Sequence, residues 1–240
     1  MILDKRADLR HGDVKKLLFS LSVPTITSQI VNMLYNLVDR VFIGHMQPAE
    51  SVGKLALTGV GVCLPIIMVI SAFASLMAIG GAPRASIAEG AGESEKSERI
   101  MGNCLTMLVI TALVLTVLFE SFAEPLLLMF GASENTVGYA LDYMRIYALG
   151  TIFVQLTLGM NAYITAQGFA TVSMKTVLIG ALLNTALDPL FIFVLGLGVR
   201  GAALATVISQ AVSAVWVMTF LTGKKTVSYT HLTLPTICSV

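Results

Sequence analysis

Residues 17–38, 55–83, 100–119, 146–174, 176–199 and 201–223 form six long apolar runs, and Asp188 is the one charged residue among them. None shows the roughly ten-residue alternation of a barrel strand; the apolar positions run around all faces. About 20 residues of helix span ~30 Å of hydrocarbon, so each run is long enough to cross a bilayer. Lipid offers no partner to an unpaired backbone group, which favours helices. The pattern predicts an all-α integral membrane protein, a lobe of six transmembrane helices, multi-pass in the cell membrane.

Composition agrees. Of 240 residues, 56% are hydrophobic and 12% charged, against about a quarter charged in soluble domains. The opening "MILDKRADLRHGDVKK" is too long and polar for the charged region of a signal peptide, and no small-residue cleavage site follows a short apolar core. It reads as a soluble head.

Lysine and arginine set the orientation. Lys5, Arg6, Arg10, Lys15 and Lys16 precede the first span. Arg84, Lys96 and Arg99 follow the second, Lys175 the fourth, and Lys224 and Lys225 the sixth. The opposite connections hold only Lys54 and Arg200. The N-terminus is therefore placed in the cytoplasm.

Two stretches invite a nucleotide reading and fail it. "GGAPRASIAEGAGESEKSER" lacks the phosphate-binding Gly-x-x-x-x-Gly-Lys-Ser/Thr pattern, so its glycines read as turn formers. Before "GKKT", Met218 stands where the first glycine belongs. Cys63, Cys104 and Cys238 have no metal-ligand spacing. Pro24 and Pro65, inside spans, predict kinks.

The informative residues are polar ones within the spans. A carboxylate deep in the bilayer costs at least ~2.5–3.5 kcal/mol, so such groups generally face a cavity and serve a function. Counting from the cytoplasmic ends, Asp39 on the first helix and Asp188 on the fifth both fall in the outer half, and Thr206 on the sixth begins at a similar depth. Asn184 lies four residues before Asp188 and stacks on the same face. Pro189 has no N–H, so it leaves the carbonyl of Thr185 without its usual donor. Carboxylate, amide oxygen, hydroxyl and freed carbonyl together suit a hard cation or a proton. Read separately, Asp39 is also consistent with a solvated helix end beside Arg40, Asp188 with a cap beside Pro189, and Thr206 with simple packing. Asn32, Tyr35 and Gln29 form a polar stripe on the first helix, either cavity lining or interhelical glue. Asn161, at the end of the fourth span, is open to the same two readings.

The stretches "NMLYNLVDRVFIGH", "GAPRASIAEGAGESEKSERIMGN" and above all "NTALDPLFIFVLGLGVRGAALATVISQ" resemble the multidrug and toxic compound extrusion (MATE) transporters, over residues 12–223. The resemblance implies one half of a twelve-helix, two-lobe transporter that expels cationic and amphipathic drugs in exchange for protons or sodium ions. It carries no organic cofactor, performs no enzymatic step and has no nucleic-acid partner. It places the coupling-ion site, with sodium as a possible ligand, on Asp39, Asn184, Asp188 and Thr206. Family amides lining the drug cavity match Asn32 and Asn161, and Tyr35 joins them from the stripe.

The chain departs from the family after one lobe. Residues 1–225 read as the N-terminal six-helix lobe, and the missing C-terminal lobe as its partner. Residues 226–240, "TVSYTHLTLPTICSV", read as a non-native tail at a truncation point or as an interlobe linker. Two rival functions stand beside drug export: a lipid-linked precursor flippase of the same superfamily, and an intramembrane aspartyl protease using Asp39 and Asp188. Against the protease, Asp188 lacks a preceding Gly-x-Gly.

Overall fold

The computed structural model describes residues 14–46 and 50–223. Residues 1–13 of the head, the 226–240 segment, Lys224 and Lys225 lie outside the described residues. The described chain is helical: α1 (Val14–Gly44), α2 (Glu50–Val62), α3 (Leu64–Gly90), α4 (Ser94–Met129), α5 (Val137–Leu149), α6 (Thr151–Ala166), α7 (Ala170–Pro189), a π-helical turn (Leu190–Val194) and α8 (Val199–Thr222). Five stretches are long and apolar enough to span a membrane. They are Leu17–Gly44, Ser51–Gly90, Ser94–Met129, Ala170–Val194 and Val199–Thr222. The pair α5 and α6, bent by 57° at Gly150, supplies the sixth.

Several expected boundaries move. The second span starts near residue 51 and breaks at Cys63, so Lys54 is inside α2 and not in a connection. Pro65 sits in the first turn of α3, where a missing N–H costs nothing, so it follows the break and does not kink a continuous helix. The glycine-rich stretch is mostly helix as well: α3 continues past Pro83 to Gly90, and of its glycines only Gly92 takes a positive φ, +82°. The fourth span runs from 137 to 166, not 146 to 174. Asp142 is tolerated near its outer end because it pairs with Arg200 at 2.8 Å in a half-exposed setting. At the inner end, Gly168, at φ +89°, turns the chain inside the apolar run. A kink that went unforeseen lies at Phe122 in α4, three residues before Pro125.

In lipid, helices do not associate by hiding apolar surface from water; close van der Waals packing of small residues does more. Accordingly α3 turns Ala74, Ala78, Gly81, Ala82, Ala85 and Ala88 inward, against α4 and α6. On α8, Ala202, Ala203 and Ala205 are fully buried. The large residues Met33, Ile79, Val117, Leu182 and Val215 are left exposed on the outside, suited to lipid. Two apolar cores result. One gathers Ile43, Ile66, Leu127, Met144 and Ile192; the other gathers Ala82, Leu108, Met160, Ile164 and Leu221. α1 rests mainly on α7, and α8 packs on α5, α6 and α7.

Candidate functional site

The sequence "NTALDPLFIFVLGLGVRGAALAT" builds most of the site in one hairpin. α7 carries Asn184 and Asp188 one turn apart on a single face. Pro189 cannot donate to the carbonyl of Thr185, and the helix widens at once into the π-helical turn, where the Leu195 N–H bonds to the Leu190 carbonyl at 2.9 Å. π-turns inside helices recur at functional sites. Gly196 and Gly198, at φ +65° and +57°, reverse the chain in a conformation that side-chain-bearing residues rarely adopt. α8 then returns against α7 and brings Thr206 opposite Asn184.

The hydrogen bonds close on this hairpin. Asn184 Nδ2 donates to Asp188 Oδ1 at 3.2 Å and to Thr206 Oγ1 at 3.5 Å. The Thr206 hydroxyl donates to the Ala202 carbonyl at 3.1 Å. Tyr143, buried and brought in by α5, lies beside it. Asp39 arrives on α1, close enough to act electrostatically on both Asp188 and Tyr143. Asp188 is 0% exposed, Asn184 2% and Asp39 8%. Neither carboxyl is bathed in solvent, although Asp188 does stand in the last turn of α7 beside Pro189 and Arg40 acts electrostatically on Asp39.

With both Asn184 hydrogens committed, what remains is oxygen. Asp39 Oδ1, Asn184 Oδ1 and Asp188 Oδ2 are buried without a hydrogen-bond partner. Buried acceptors are normally satisfied, and an unpaired buried carboxylate is very costly. These atoms lack only a positive partner: a proton, a hard cation coordinated by oxygens, or water.

A cavity of about 40 Å³ opens beside this cluster, lined in part by Asn32, Tyr35, Asn184 and Thr206. It has room for a few water-sized groups and is far smaller than a drug pocket, which needs roughly 300 Å³ or more. Asn161 is not part of its lining; its amide reaches the Ser173 carbonyl at 3.3 Å, further along α7 toward the cytoplasmic end.

Tyr143 and Tyr147, stacked at 5.9 Å and buried, did not stand out in the sequence. Beginning the fourth span at residue 146 left Tyr143 outside it and Tyr147 at its very edge. Their four-residue spacing was the available signal.

Comparison with known proteins follows the geometry. The MatE family model matches residues 24–190. The multidrug export protein MepA of Staphylococcus haemolyticus is 29% identical over 214 residues, covering 89% of this chain and 46% of that protein. A crystal structure of MATE in the straight conformation superposes with a TM-score of 0.83 at 29% identity, covering 92% of this chain and 48% of that one. An outward-facing multidrug resistance MATE family transporter of the MOP superfamily gives 0.83 at 28% identity, over 92% and 48%. The chain thus spans about half the length of the relatives it matches.

Proposed function

The chain belongs to the MatE family, and from that premise we propose that it is one lobe of a cation-coupled antiporter exporting drugs and other cationic or amphipathic compounds. A second six-helix lobe completes the drug cavity. The similarity to a multidrug export protein supports the substrate class. The observation that carries the coupling is the set of three partnerless buried oxygens: those of Asn184 and Asp188, whose side chains are hydrogen-bonded to each other, and that of Asp39, which acts electrostatically on Asp188.

The coupling cation, a proton or sodium, is a substrate of the cycle. Asp39 and Asp188 hold it, Asn184 and Thr206 orient the carboxyl of Asp188, and Tyr143 packs beside Thr206. α1 links this event to the drug. Asn32 and Tyr35, on the cavity side of α1, precede Asp39 by seven and four residues, so both functions ride on one helix. Neutralising the carboxyls changes how α1 rests on α7 and thereby reshapes the cavity. A ligand shifts such an equilibrium only by its difference in affinity for the two states. A cation and a drug that prefer opposite α1 positions therefore exchange. The two carboxyls act here as cation ligands, and no chemical step is assigned to them.

The test is efflux in cells carrying the two-lobe protein. Asp188→Asn abolishes ethidium export while the protein reaches the membrane at its normal level. Normal export by that variant removes the site assignment.

A further inference from the structure

Below the acidic cluster, polar groups continue along the α6–α7–α8 interface in a membrane interior where they have no obvious packing purpose. On α7, Ser173, Thr176, Gly180, Asn184 and Asp188 recur at three- and four-residue steps and so share one face. α8 answers with Thr206, Ser209, Gln210 and Ser213, and α6 with Thr157 and Asn161. The rungs are connected: the Thr157 hydroxyl donates to the Gln210 carbonyl at 3.2 Å, the Ser213 hydroxyl to the Thr176 carbonyl at 3.3 Å, and Asn161 Nδ2 to the Ser173 carbonyl at 3.3 Å. Thr157, Thr176, Gly180, Ser209, Gln210 and Ser213 line the same small cavity that Asn184 and Thr206 reach.

Three features separate this stripe from ordinary interhelical glue. First, it is incomplete: Ser209 Oγ, Gln210 Oε1 and Asn161 Oδ1 are buried without partners, although Ser209 is only 3% exposed. Buried polar atoms in native proteins are satisfied by protein or by ordered water. Second, it has a direction. α7 rises about 1.5 Å per residue, so the stripe covers roughly 22 Å from Asp188 to Ser173, and Ser173 lies within one turn of the cytoplasmic start of α7. Third, a glycine keeps one rung of the stripe intact. A Cβ at Gly180 would stand 2.7 Å from Ser213 Oγ, where it would push that hydroxyl off the Thr176 carbonyl.

We propose that this stripe is a hydrated path by which a small monovalent cation, a proton or sodium, passes between the Asp39–Asp188 cluster and the cytoplasm within this lobe. Water bridges Ser209 and Gln210, and hydroxyl and carbonyl oxygens replace part of a cation's hydration shell along the way. The proposal rests on the cation site above and adds the route that serves it.

The probe is Ag⁺, a small monovalent cation that binds thiolates, applied to the full chain in oriented vesicles with Cys63, Cys104 and Cys238 replaced by serine or alanine. Silver capture is read as protection from later maleimide labelling of the denatured protein. Thiolates form in water and not in apolar surroundings, so Ser209→Cys and Ser213→Cys react from the cytoplasmic side at least about tenfold faster than Val215→Cys, a lipid-facing control on α8. Gly180→Val, which fills the path, slows capture at Ser209→Cys about tenfold. If that variant fails to fold, Ser213→Leu serves as the plug. Reaction at Ser209→Cys no faster than at Val215→Cys, reaction only from the outer side, or indifference to the plug overturns the path. A dry stripe in a chain whose stability still responds to cation through Asp188 refutes this inference alone and leaves the site standing.

Discussion

Asp188→Asn has a consequence for the folded lobe that needs no transport assay. The side chain is fully buried, one carboxylate oxygen has a single amide donor and the other has none. Asparagine preserves the shape and removes the charge. A charged carboxylate costs about 2.5–3.5 kcal/mol at the centre of a spanning helix, an upper figure for Asp188 in the outer half of its span. At ~2–4 °C per kcal/mol for a chain of this size, removing that cost raises the thermal midpoint by up to about 5–14 °C in cation-free buffer. The wild-type chain reaches a similar gain by ligand linkage, since a cation at 100 times its Kd contributes about 2.7 kcal/mol. The assay is a circular-dichroism melt of the purified chain in micelles, with and without sodium and at neutral and acidic pH. The cation that raises the wild-type midpoint and leaves Asp188→Asn unmoved is the coupling ion. The reasoning fails if the wild-type midpoint moves less than about 2 °C under every condition. It fails equally if the variant keeps the full response.

Two further expectations concern the scaffold. Gly201→Ala places a Cβ 2.7 Å from the backbone carbon of Phe191 in the π-helical turn. Backbone cannot rotate aside, so the variant loses about 1–3 kcal/mol in the same melt; unchanged stability would show that the turn and α8 do not touch as described. Arg200→Ala breaks a half-exposed pair with Asp142 and costs only ~0.2–1 kcal/mol, a loss that vanishes in high salt. A larger, salt-independent loss would mean that the pair is buried.

How much of this was legible in the chain depends on the range of the interaction. Hydrophobic runs of spanning length depend only on neighbours in sequence, and they foretold six spans and an all-helical lobe. The Asn184–Asp188 pairing is equally local, because residues four apart on a helix share a face wherever the helix goes. Gly196 and Gly198 lie within the stretch that carries the family resemblance, and their positive φ explains the turn before α8. Helix ends were read less well. Charge was used as the boundary signal, yet Asp142 sits inside α5 because Arg200 answers it from 58 residues away. Conversely, a glycine turn at Gly168 ends α6 within an apolar run.

Depth counting brought Asp39, Asp188 and Thr206 to one level, but level is only one coordinate. The rotation of α1 about its axis decides whether Asp39 faces Asp188 or lipid, and that rotation is set by packing on α7. Tyr143 enters the cluster, and Asn161 leaves the cavity lining, by the same interhelical register. Sequence alone therefore determined which segments cross the membrane and which polar residues must be accounted for inside it. Tertiary structure alone decided which of those residues meet and which oxygens are left wanting a positive partner, because side chains on separate helices acquire neighbours only when the helices pack.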